Sequence, residues 1–330
     1  MIDNNNEIIP FAVAVDSVSV KLKETLRTAP MAIRAQTRHL AKAQGKNIRA
    51  SSLLAVACLN GSDNTDYVIK QAVDAAVAIE LLHLATLVHD DIIDKSPKRR
   101  GIATLNNLFG ERVAVLCGDY LLSVALQMAF DINPKLHGRS QELGKILAQA
   151  LSDICIGELS QSENQHNFDL TEHKYMKIIG GKTAALFKIS FLMGFILSDE
   201  DEQRWTEFAQ LGNNIGLIFQ LADDLLDYMS DEAKTKKPVM NDYVQGVVTL
   251  PLIYAMRKSG DFKAAVKQGI EPEQLRQMVV QLGGIDYTVK KIEALSKKSK
   301  EQIDLLTTGQ KKERLLMLLN FAAGNQKGNQ

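Results

Sequence analysis

The sequence predicts an all-α protein, a single large bundle of roughly ten or more helices around a central cavity. Only 7 prolines and 21 glycines interrupt the 330 residues. Between them, apolar residues recur at spacings of three and four, which is typical of helices, and do not alternate as in strands. Hydrophobic residues make up 45% of the chain, enough for a large core. No linker divides the sequence, so we expect one domain over residues 1–330, with flexible ends at 1–9 and 324–330.

The apolar spacing places the predicted helices in chain order. The first covers 18–43 with a break at Pro30, because proline lacks the N–H that a continuing helix needs. The others cover 50–59, 67–94, 112–130, 141–162, 172–179, 182–197, 201–228, 249–258, 272–282, 286–299 and 311–323. The helices 67–94 and 201–228 both end at clusters of aspartates.

The charge balance argues against a large polyanion as partner. The chain has 39 basic and 39 acidic residues, a formal net charge of zero at pH 7. Because no overall field favours nucleic acid or an anionic membrane, we expect no nucleic-acid partner. Any polyanion must be bound locally, by a small group of cations.

Cysteine usage and the N-terminal sequence favour a cytoplasmic protein. The three cysteines, Cys58, Cys117 and Cys155, lie far apart without metal-ligand spacing, so we expect buried thiols in a reducing compartment. Residues 1–9 are polar and asparagine-rich, unlike a secretory signal. The longest apolar stretch, 75–88, is interrupted by polar residues and is shorter than a membrane span, so we expect at most peripheral membrane contact.

Two clusters of aspartates repeat the spacing i, i+1, i+4. The first comprises Asp90, Asp91 and Asp94, and the second comprises Asp223, Asp224 and Asp227. By chance such a pattern is expected about 0.1 times in a chain of this composition, although solvated acids at a helix end remain the alternative for either cluster. Magnesium prefers carboxylate oxygens and commonly bridges one or two of them to substrate phosphates. The crowded negative charges therefore predict a site for a complex of diphosphate and magnesium.

A pair of arginines follows the first cluster. The turn 95–98 would bring Arg99 and Arg100 back beside the carboxylates. Guanidinium groups recognise phosphate bidentately, so this pair predicts a phosphate site, with a surface salt-bridge network as the alternative.

These residues resemble the trans-isoprenyl (polyprenyl) diphosphate synthase family. The matching segments are 90–101, 219–227, Gly45-Lys46-Asn47-Ile48-Arg49, Gly118-Asp119-Tyr120-Leu121, Gly181-Lys182-Thr183 and Thr249-Leu250-Pro251. They fall in family order over about residues 37–251. The resemblance implies the isoprenoid synthase fold and a prenyltransferase that condenses an allylic diphosphate with isopentenyl diphosphate in trans.

The resemblance also implies roles for individual residues. Magnesium, about three ions per active site, would be held by Asp90, Asp91, Asp94, Asp223 and Asp227, with Asp224 in the same catalytic set. The allylic diphosphate would be assisted by Arg99, Lys182 and Lys237. Isopentenyl diphosphate would bind Lys46, Arg49, His83 and Arg100. Thr183 and Gln220 would orient a phosphate or the cationic intermediate.

Each basic or polar assignment has a structural alternative. Lys46 and Arg49 could be exposed charges at a helix start, and His83 could be a satisfied core imidazole. Lys182 could cap a turn, and Thr183 with Gln220 could serve packing.

The chain departs from the family's pattern at three positions. Asn47 stands where a second basic residue is usual, Ala50 where proline is expected, and Val247 where a lysine is usual. These changes predict weaker phosphate binding at both substrate sites. Lys237 and its neighbour Lys236 could compensate for the lysine missing at position 247.

Product length should depend on what blocks the growing tail on the helix face before Asp90. Ala85 and Thr86 are small and do not plug that path, and each helical turn adds about 5.4 Å of depth. We therefore expect a medium- to long-chain product beyond geranylgeranyl. Leu82, Met128 or Phe130 could form the floor.

Two other functions stay open. One is a catalytically weak or regulatory subunit of a heteromeric synthase, which the changes at Asn47, Met240 and Val247 suggest. The other is a helical terpenoid enzyme that cyclises prenyl chains or joins them head to head, although it would not need the isopentenyl site. We expect a homodimer, with a heterodimer as the alternative.

Overall fold

The structure, a computed structural model, describes residues 11–43, 45–57, 66–132, 140–198, 204–229 and 240–324. The first half contains α1 Phe11–Arg27, α2 Arg34–Leu40, α3 Ile48–Ala57, α4 Asp66–Ile93, β1 Lys98–Arg99, β2 Ile102–Ala103, α5 Leu105–Phe109 and α6 Glu111–Asp131. The middle contains α7 Ser140–Glu163, α8 Glu172–Ile179, a π-helix Gly180–Ala184, α9 Ala185–Leu197 and α10 Trp205–Met229. The last part contains α11 Asn241–Val244, α12 Leu250–Lys258, α13 Gly260–Gln268, α14 Pro272–Gln281, α15 Gly284–Leu306 and α16 Gly309–Ala322. The prediction of an all-α protein is confirmed.

The chain forms two compact units. One comprises Met1–Leu151 with Ile189–Phe208, and the other comprises Ser152–Lys188 with Ala209–Gln330. The expectation of one domain over 1–330 stays a prediction. The ends expected to be flexible, 1–9 and 324–330, lie outside the described residues except for Gly324.

In the first unit the long helix α4 packs against α1, α3 and α6. Its residues from Ala75 to Leu82 are all buried, which suits a helix that is apolar on every side. Gly118 of α6 allows the close approach, because a Cβ at that position would lie 2.8 Å from Cε1 of the His89 ring on α4. This packing fixes the end of α4, where the first aspartate cluster lies.

In the second unit α12 packs against α15, and Tyr254 and Tyr287 stack between them with ring centroids 4.1 Å apart. α8 runs directly into the π-helix. Phe187 and Phe219 contact each other at 5.4 Å between centroids and hold α9 to α10. The second aspartate cluster lies at the C-terminal end of α10.

The expectation of buried thiols is wrong for Cys155, and the expectation that the apolar stretches are shorter than a membrane span is wrong for three helical segments. Cys117 is buried, and burial raises the pKa of its thiol to about 12, but Cys155 is exposed. Cys58 lies outside the described residues. Three described helical segments, Lys70–Ile93, Glu111–Asp131 and Glu172–Leu197, are long and apolar enough to cross a membrane by length and composition. The first and third are 67% and 78% buried inside the protein, whereas the second is only 33% buried.

Candidate active site

The first aspartate cluster lies where α4 ends. Asp91 is buried, Asp90 is half-buried, and Asp94 is exposed just beyond the last helical residue. Arg99 Nε donates to Asp91 Oδ1 at 2.5 Å. Burial raises the pKa of Asp91, and the positive charge of Arg99 opposes that shift. The cluster therefore exposes Asp94, while Asp91 binds Arg99.

The two arginines lie on a short β-hairpin whose strands have two residues each, and their side chains point to different places. β1 pairs antiparallel with β2, Arg99 opposite Ile102, and Arg100 takes a left-handed backbone conformation with φ 49°. Its guanidinium turns toward Gly45, where an added Cβ would lie 2.6 Å from Arg100 Nη1. The prediction that both guanidinium groups return to the carboxylates is therefore wrong for Arg100. Of the two arginines, Arg99 contacts the first cluster, because the left-handed conformation of Arg100 turns its own side chain toward Gly45 instead.

Arg100 instead belongs to a second group of basic side chains. Arg49 Nη1 lies 3.0 Å from His83 Nε2. Burial, followed by the charge of Arg49, lowers the pKa of His83 well below its usual value. Because the guanidinium can only donate, the neutral imidazole accepts at Nε2 and carries its proton on Nδ1. Burial also lowers the pKa of Arg49 to about 10, so it stays charged at neutral pH.

His83 and Arg100 of this group line a pocket of about 270 Å³ in the first unit. Its lining includes Gly45, Asn47, Glu80, His83 and Arg100. His83 thus faces a cavity, which favours the binding interpretation over a closed core position. Lys46 is exposed beside it, and neither of its two interpretations is excluded.

Glu80 is a residue of this site that the sequence analysis missed. It is buried and accepts the backbone N–H of Ala50 at 3.0 Å through Oε1. Burial raises its pKa, and the charges of Arg49 and Arg100 oppose that shift. The signal in the sequence was a carboxylate inside an apolar helix, three residues before His83. This hydrogen bond also explains why position 50 is alanine and not the expected proline, since proline has no N–H to donate.

In the second cluster, Asp224 and Asp227 accept hydrogen bonds from other parts of the protein. Asp224 is buried and accepts hydrogen bonds from the Tyr175 hydroxyl and from Gln220 Nε2, the latter at 2.7 Å. Burial raises the pKa of Asp224 to about 6. Asp227 is half-buried, and burial raises its pKa as well. Asp223 is exposed.

Asp242 is a further missed residue beside this cluster. Its backbone N–H donates to Asp227 Oδ2 at 3.1 Å, and that of Asn241 donates to Oδ1 at 3.0 Å. Burial and then the charges of Asp224, Asp227 and Asp223 raise the pKa of Asp242 to about 8. The short helix α11 therefore caps Asp227 and adds a fourth carboxyl group to the cluster.

The π-helix places the remaining predicted residues of the second unit. Lys182 Nζ donates to Glu158 Oε1 at 2.7 Å, so the turn-cap interpretation of this lysine is wrong. Thr183 Oγ1 donates to Gln220 Oε1 at 2.6 Å, and Gln220 continues to Asp224. π-Helical turns inside α-helices occur frequently at functional sites. Lys236 and Lys237 lie outside the described residues.

The donor set fits magnesium that arrives with a diphosphate. Among the described residues, no three His, Cys, Asp or Glu side chains form a group that could hold a metal ion by themselves. Magnesium needs no such cage, because it retains waters and takes its other ligands from substrate phosphates. In the first unit, Asp90 and Asp94 are carboxylates that could contribute to such a site, and in the second unit Asp223 is another.

The two positions predicted to control chain length lie on α4. Ala85 is fully buried, and Thr86 is half-buried with its hydroxyl donating to the His83 carbonyl at 2.8 Å. Leu82 is fully buried too, but Phe130 is 51% exposed, so it does not close an interior path. The role of Ala85 and Thr86 in chain length stays a prediction.

Comparison with known proteins gives one consistent family. The profile of the polyprenyl synthetase family matches residues 30–282. The chain is 34% identical over 282 residues to heptaprenyl diphosphate synthase component 2 of Bacillus subtilis (strain 168), covering 85% of this chain and 76% of that protein. It is 30% identical over 329 residues to an all-trans-nonaprenyl-diphosphate synthase (geranyl-diphosphate specific) of Rhodobacter capsulatus, covering 97% and 98%.

A solved structure shows the same fold. The crystal structure of heptaprenyl diphosphate synthase from Staphylococcus aureus superimposes with a TM-score of 0.86 at 31% sequence identity, covering 96% of this chain and 98% of that one. The likeness extends over both compact units and over the helices that carry the aspartate clusters.

Proposed function

We propose a reaction for this chain on the premise that it belongs to the polyprenyl synthetase family, as the match over residues 30–282 shows. It is a trans-prenyl diphosphate synthase that lengthens an allylic diphosphate by adding isopentenyl diphosphate. One observation carries the assignment: two adjacent arginines lead to two different anion sites. Arg99 donates to Asp91 of the first cluster, whereas Arg100 lines a pocket of about 270 Å³ together with His83, which contacts Arg49.

The composition of the two sites assigns a substrate to each. The aspartate site suits a diphosphate that brings magnesium, because its carboxylates would otherwise repel an anion. The pocket lined by Arg100 suits a diphosphate bound directly by guanidinium groups. We therefore assign the allylic diphosphate to Asp90, Asp91, Asp94 and Arg99. Isopentenyl diphosphate is assigned to Arg49, His83 and Arg100, with Lys46 beside them.

Residues of the second unit serve the same reaction in this proposal. Asp223 and Asp227 add carboxylates for magnesium, and Lys182 adds a cation for the allylic diphosphate. Bound magnesium would supply charge neutralisation on the departing diphosphate. Thr183 and Gln220 orient the polar groups around Asp224, which keeps that carboxyl in one position. Lys237 is proposed as a further phosphate contact.

The chemistry needs no protein residue as general base. The allylic carbon–oxygen bond breaks and its electron pair leaves with the diphosphate. The double bond of isopentenyl diphosphate then forms the new carbon–carbon bond. The released diphosphate accepts the proton that the condensed cation loses. The fixed charge of Arg99 beside the first cluster is proposed to stabilise the negative charge that develops on the departing oxygen, where electrostatic stabilisation is most effective.

We propose a medium- to long-chain product beyond geranylgeranyl. The small residues Ala85 and Thr86 before the first cluster support a long tail, and so do relatives named for heptaprenyl and nonaprenyl products. We also propose a cytoplasmic location, on the basis of the cysteine usage and the polar N-terminal sequence.

A heteromeric assembly is the second candidate. The Bacillus subtilis relative is named as component 2 of a heptaprenyl diphosphate synthase. This chain could likewise need a different partner chain for full activity. The six aspartates of the two clusters, all present, favour a chain that carries its own chemistry.

The function is tested by incubating the purified chain with magnesium, labelled isopentenyl diphosphate and geranyl or farnesyl diphosphate. The extracted products are then separated by chain length. A discrete product longer than geranylgeranyl supports the proposed activity. Incorporation that appears only after a second protein is added supports the heteromeric candidate, and no incorporation under either condition contradicts both.

A further inference from the structure

Asn47 has a structural role that a basic residue could not fill. Its backbone is left-handed, with φ 47°, a conformation that asparagine tolerates better than most residues. Its side chain Nδ2 donates to Ser19 Oγ at 2.7 Å. The loop that begins α3 is thereby tied to α1, at the cost of the cation usual at this position.

α1 is itself held firmly against the first unit. Val18 and Leu26 are buried, and Lys21 forms an ion pair with Asp74 of α4. Ser19 and Lys23 lie four residues apart and so share one face of the helix. The hydrogen bond from Asn47 to Ser19 therefore fixes where Lys23 lies.

Lys23 lines the same pocket of about 270 Å³ as His83 and Arg100. It is half-buried, and within the part of the chain that the structure describes it forms no ion pair. The other charged groups lining the pocket are Asp16 and Glu80. Glu80 is occupied by the Ala50 N–H, and Asp16 is exposed on α1, seven residues before Lys23.

We infer that Lys23 binds the diphosphate of isopentenyl diphosphate together with Arg100, and that Asn47 and Ser19 position it. This inference rests on the proposed function. Lys23 of α1 thus takes the place of the basic residue that is usual at position 47, and the pocket keeps its positive charge. Lys23 is a binding residue in this account, whereas Asn47 and Ser19 are positioning residues that do not touch the substrate.

The test compares Lys23→Ala, Lys23→Arg and Lys42→Ala with the unmodified chain. Lys42 is exposed and lies outside this pocket, so its replacement removes the same charge from the surface as a matched control. Lys23→Ala should raise the KM for isopentenyl diphosphate roughly tenfold, the loss of one charge-assisted contact, and leave the KM for the allylic diphosphate unchanged. Lys23→Arg should restore most of the affinity, and Lys42→Ala should behave like the unmodified chain.

The positioning pair gives a second, independent readout. Ser19→Ala and Asn47→Ala should each raise the KM for isopentenyl diphosphate by a smaller factor. Because both substitutions remove the same hydrogen bond, the double variant should raise this KM no more than the larger of the two single effects. An unchanged KM for isopentenyl diphosphate in Lys23→Ala, or an equal rise in both KM values, would overturn the inference.

Direct titration separates this inference from the proposed function. Calorimetric titration with isopentenyl diphosphate alone needs no turnover. If the unmodified chain binds it but forms no product, the proposed reaction fails, while weaker binding by Lys23→Ala still supports the site. If the unmodified chain does not bind isopentenyl diphosphate at all, both are overturned.

Discussion

At the scale of single residues, the structure shows which charges the protein itself uses. Asp91 is bound by Arg99, Asp224 by Tyr175 and Gln220, and Asp227 by two backbone N–H groups. The spacing in the sequence treats the six aspartates of the two clusters as equivalent. Their different partners come from residues distant in the chain, which spacing alone does not reveal.

Asp224 predicts a pH dependence of stability in magnesium-free buffer. Burial raises its folded pKa to about 6 from the usual 3.8. Between these values the folded chain keeps a proton that the unfolded chain has released, so its contribution to stability falls as pH rises through this window. Asp224→Asn should therefore have a free energy of unfolding about 1–3 kcal/mol higher than that of the parent at pH 7, measured by urea denaturation. This difference should shrink near pH 4. If Asp224→Asn were only as stable as the parent at pH 7, or less stable, this would contradict a destabilising effect of the buried Asp224 carboxylate.

At the scale of elements, the sequence predicts the long helices well because their apolar spacing is strong. The predicted 67–94 corresponds to Asp66–Ile93, and 201–228 to Trp205–Met229. Short elements were missed, among them β1, β2 and α13. α13 begins at a local cap, in which the Phe262 N–H donates to Ser259 Oγ at 3.1 Å, and such local bonds leave little periodicity to detect.

The π-helix was also missed, because it depends on a contact between elements. Periodicity predicted an ordinary helix from residue 182, whereas Gly180–Ala184 is π-helical. Gly157 of α7 permits the close approach, since an added Cβ there would lie 2.8 Å from the Gly181 carbonyl carbon and closer still to the Lys182 nitrogen.

Gly157→Ala should therefore displace Lys182 and Thr183 and lower kcat by roughly a hundredfold, as small misplacements in an active site do. Gly180→Ala is the matched control, because a Cβ there meets nothing within 4 Å. Steady-state kinetics measures kcat for both variants, and circular dichroism checks that both keep the helical fold. Equal activity of the two variants would show that the π-helix does not position Lys182.

At the scale of the whole molecule, one surface of the first unit suggests association. The segment Glu111–Asp131 is apolar but only 33% buried. Leu116 is 56% exposed and Val115 is 41% exposed on it. An apolar helix face left in water is a common mark of a protein interface.

We predict that this face of α6 joins two copies of the chain. Leu116→Lys should shift the molecular mass measured by light scattering from dimer toward monomer, because burying an unpaired charge costs several kcal/mol. Leu305→Lys is a suitable control, since Leu305 is 84% exposed on α15. A parent chain that is already monomeric at micromolar concentration would contradict the homodimer and favour a different partner chain.

The measurement that tests the central claim most directly compares Arg99→Ala with Arg100→Ala. These neighbours are proposed to bind different diphosphates, since Arg99 lies beside Asp91 and Arg100 beside Gly45. KM and kcat are determined for each substrate in turn. Arg99→Ala should lower kcat and raise the KM for the allylic diphosphate, whereas Arg100→Ala should raise mainly the KM for isopentenyl diphosphate, each by roughly tenfold or more. Two variants that affect both substrates alike would contradict the separation of the two sites.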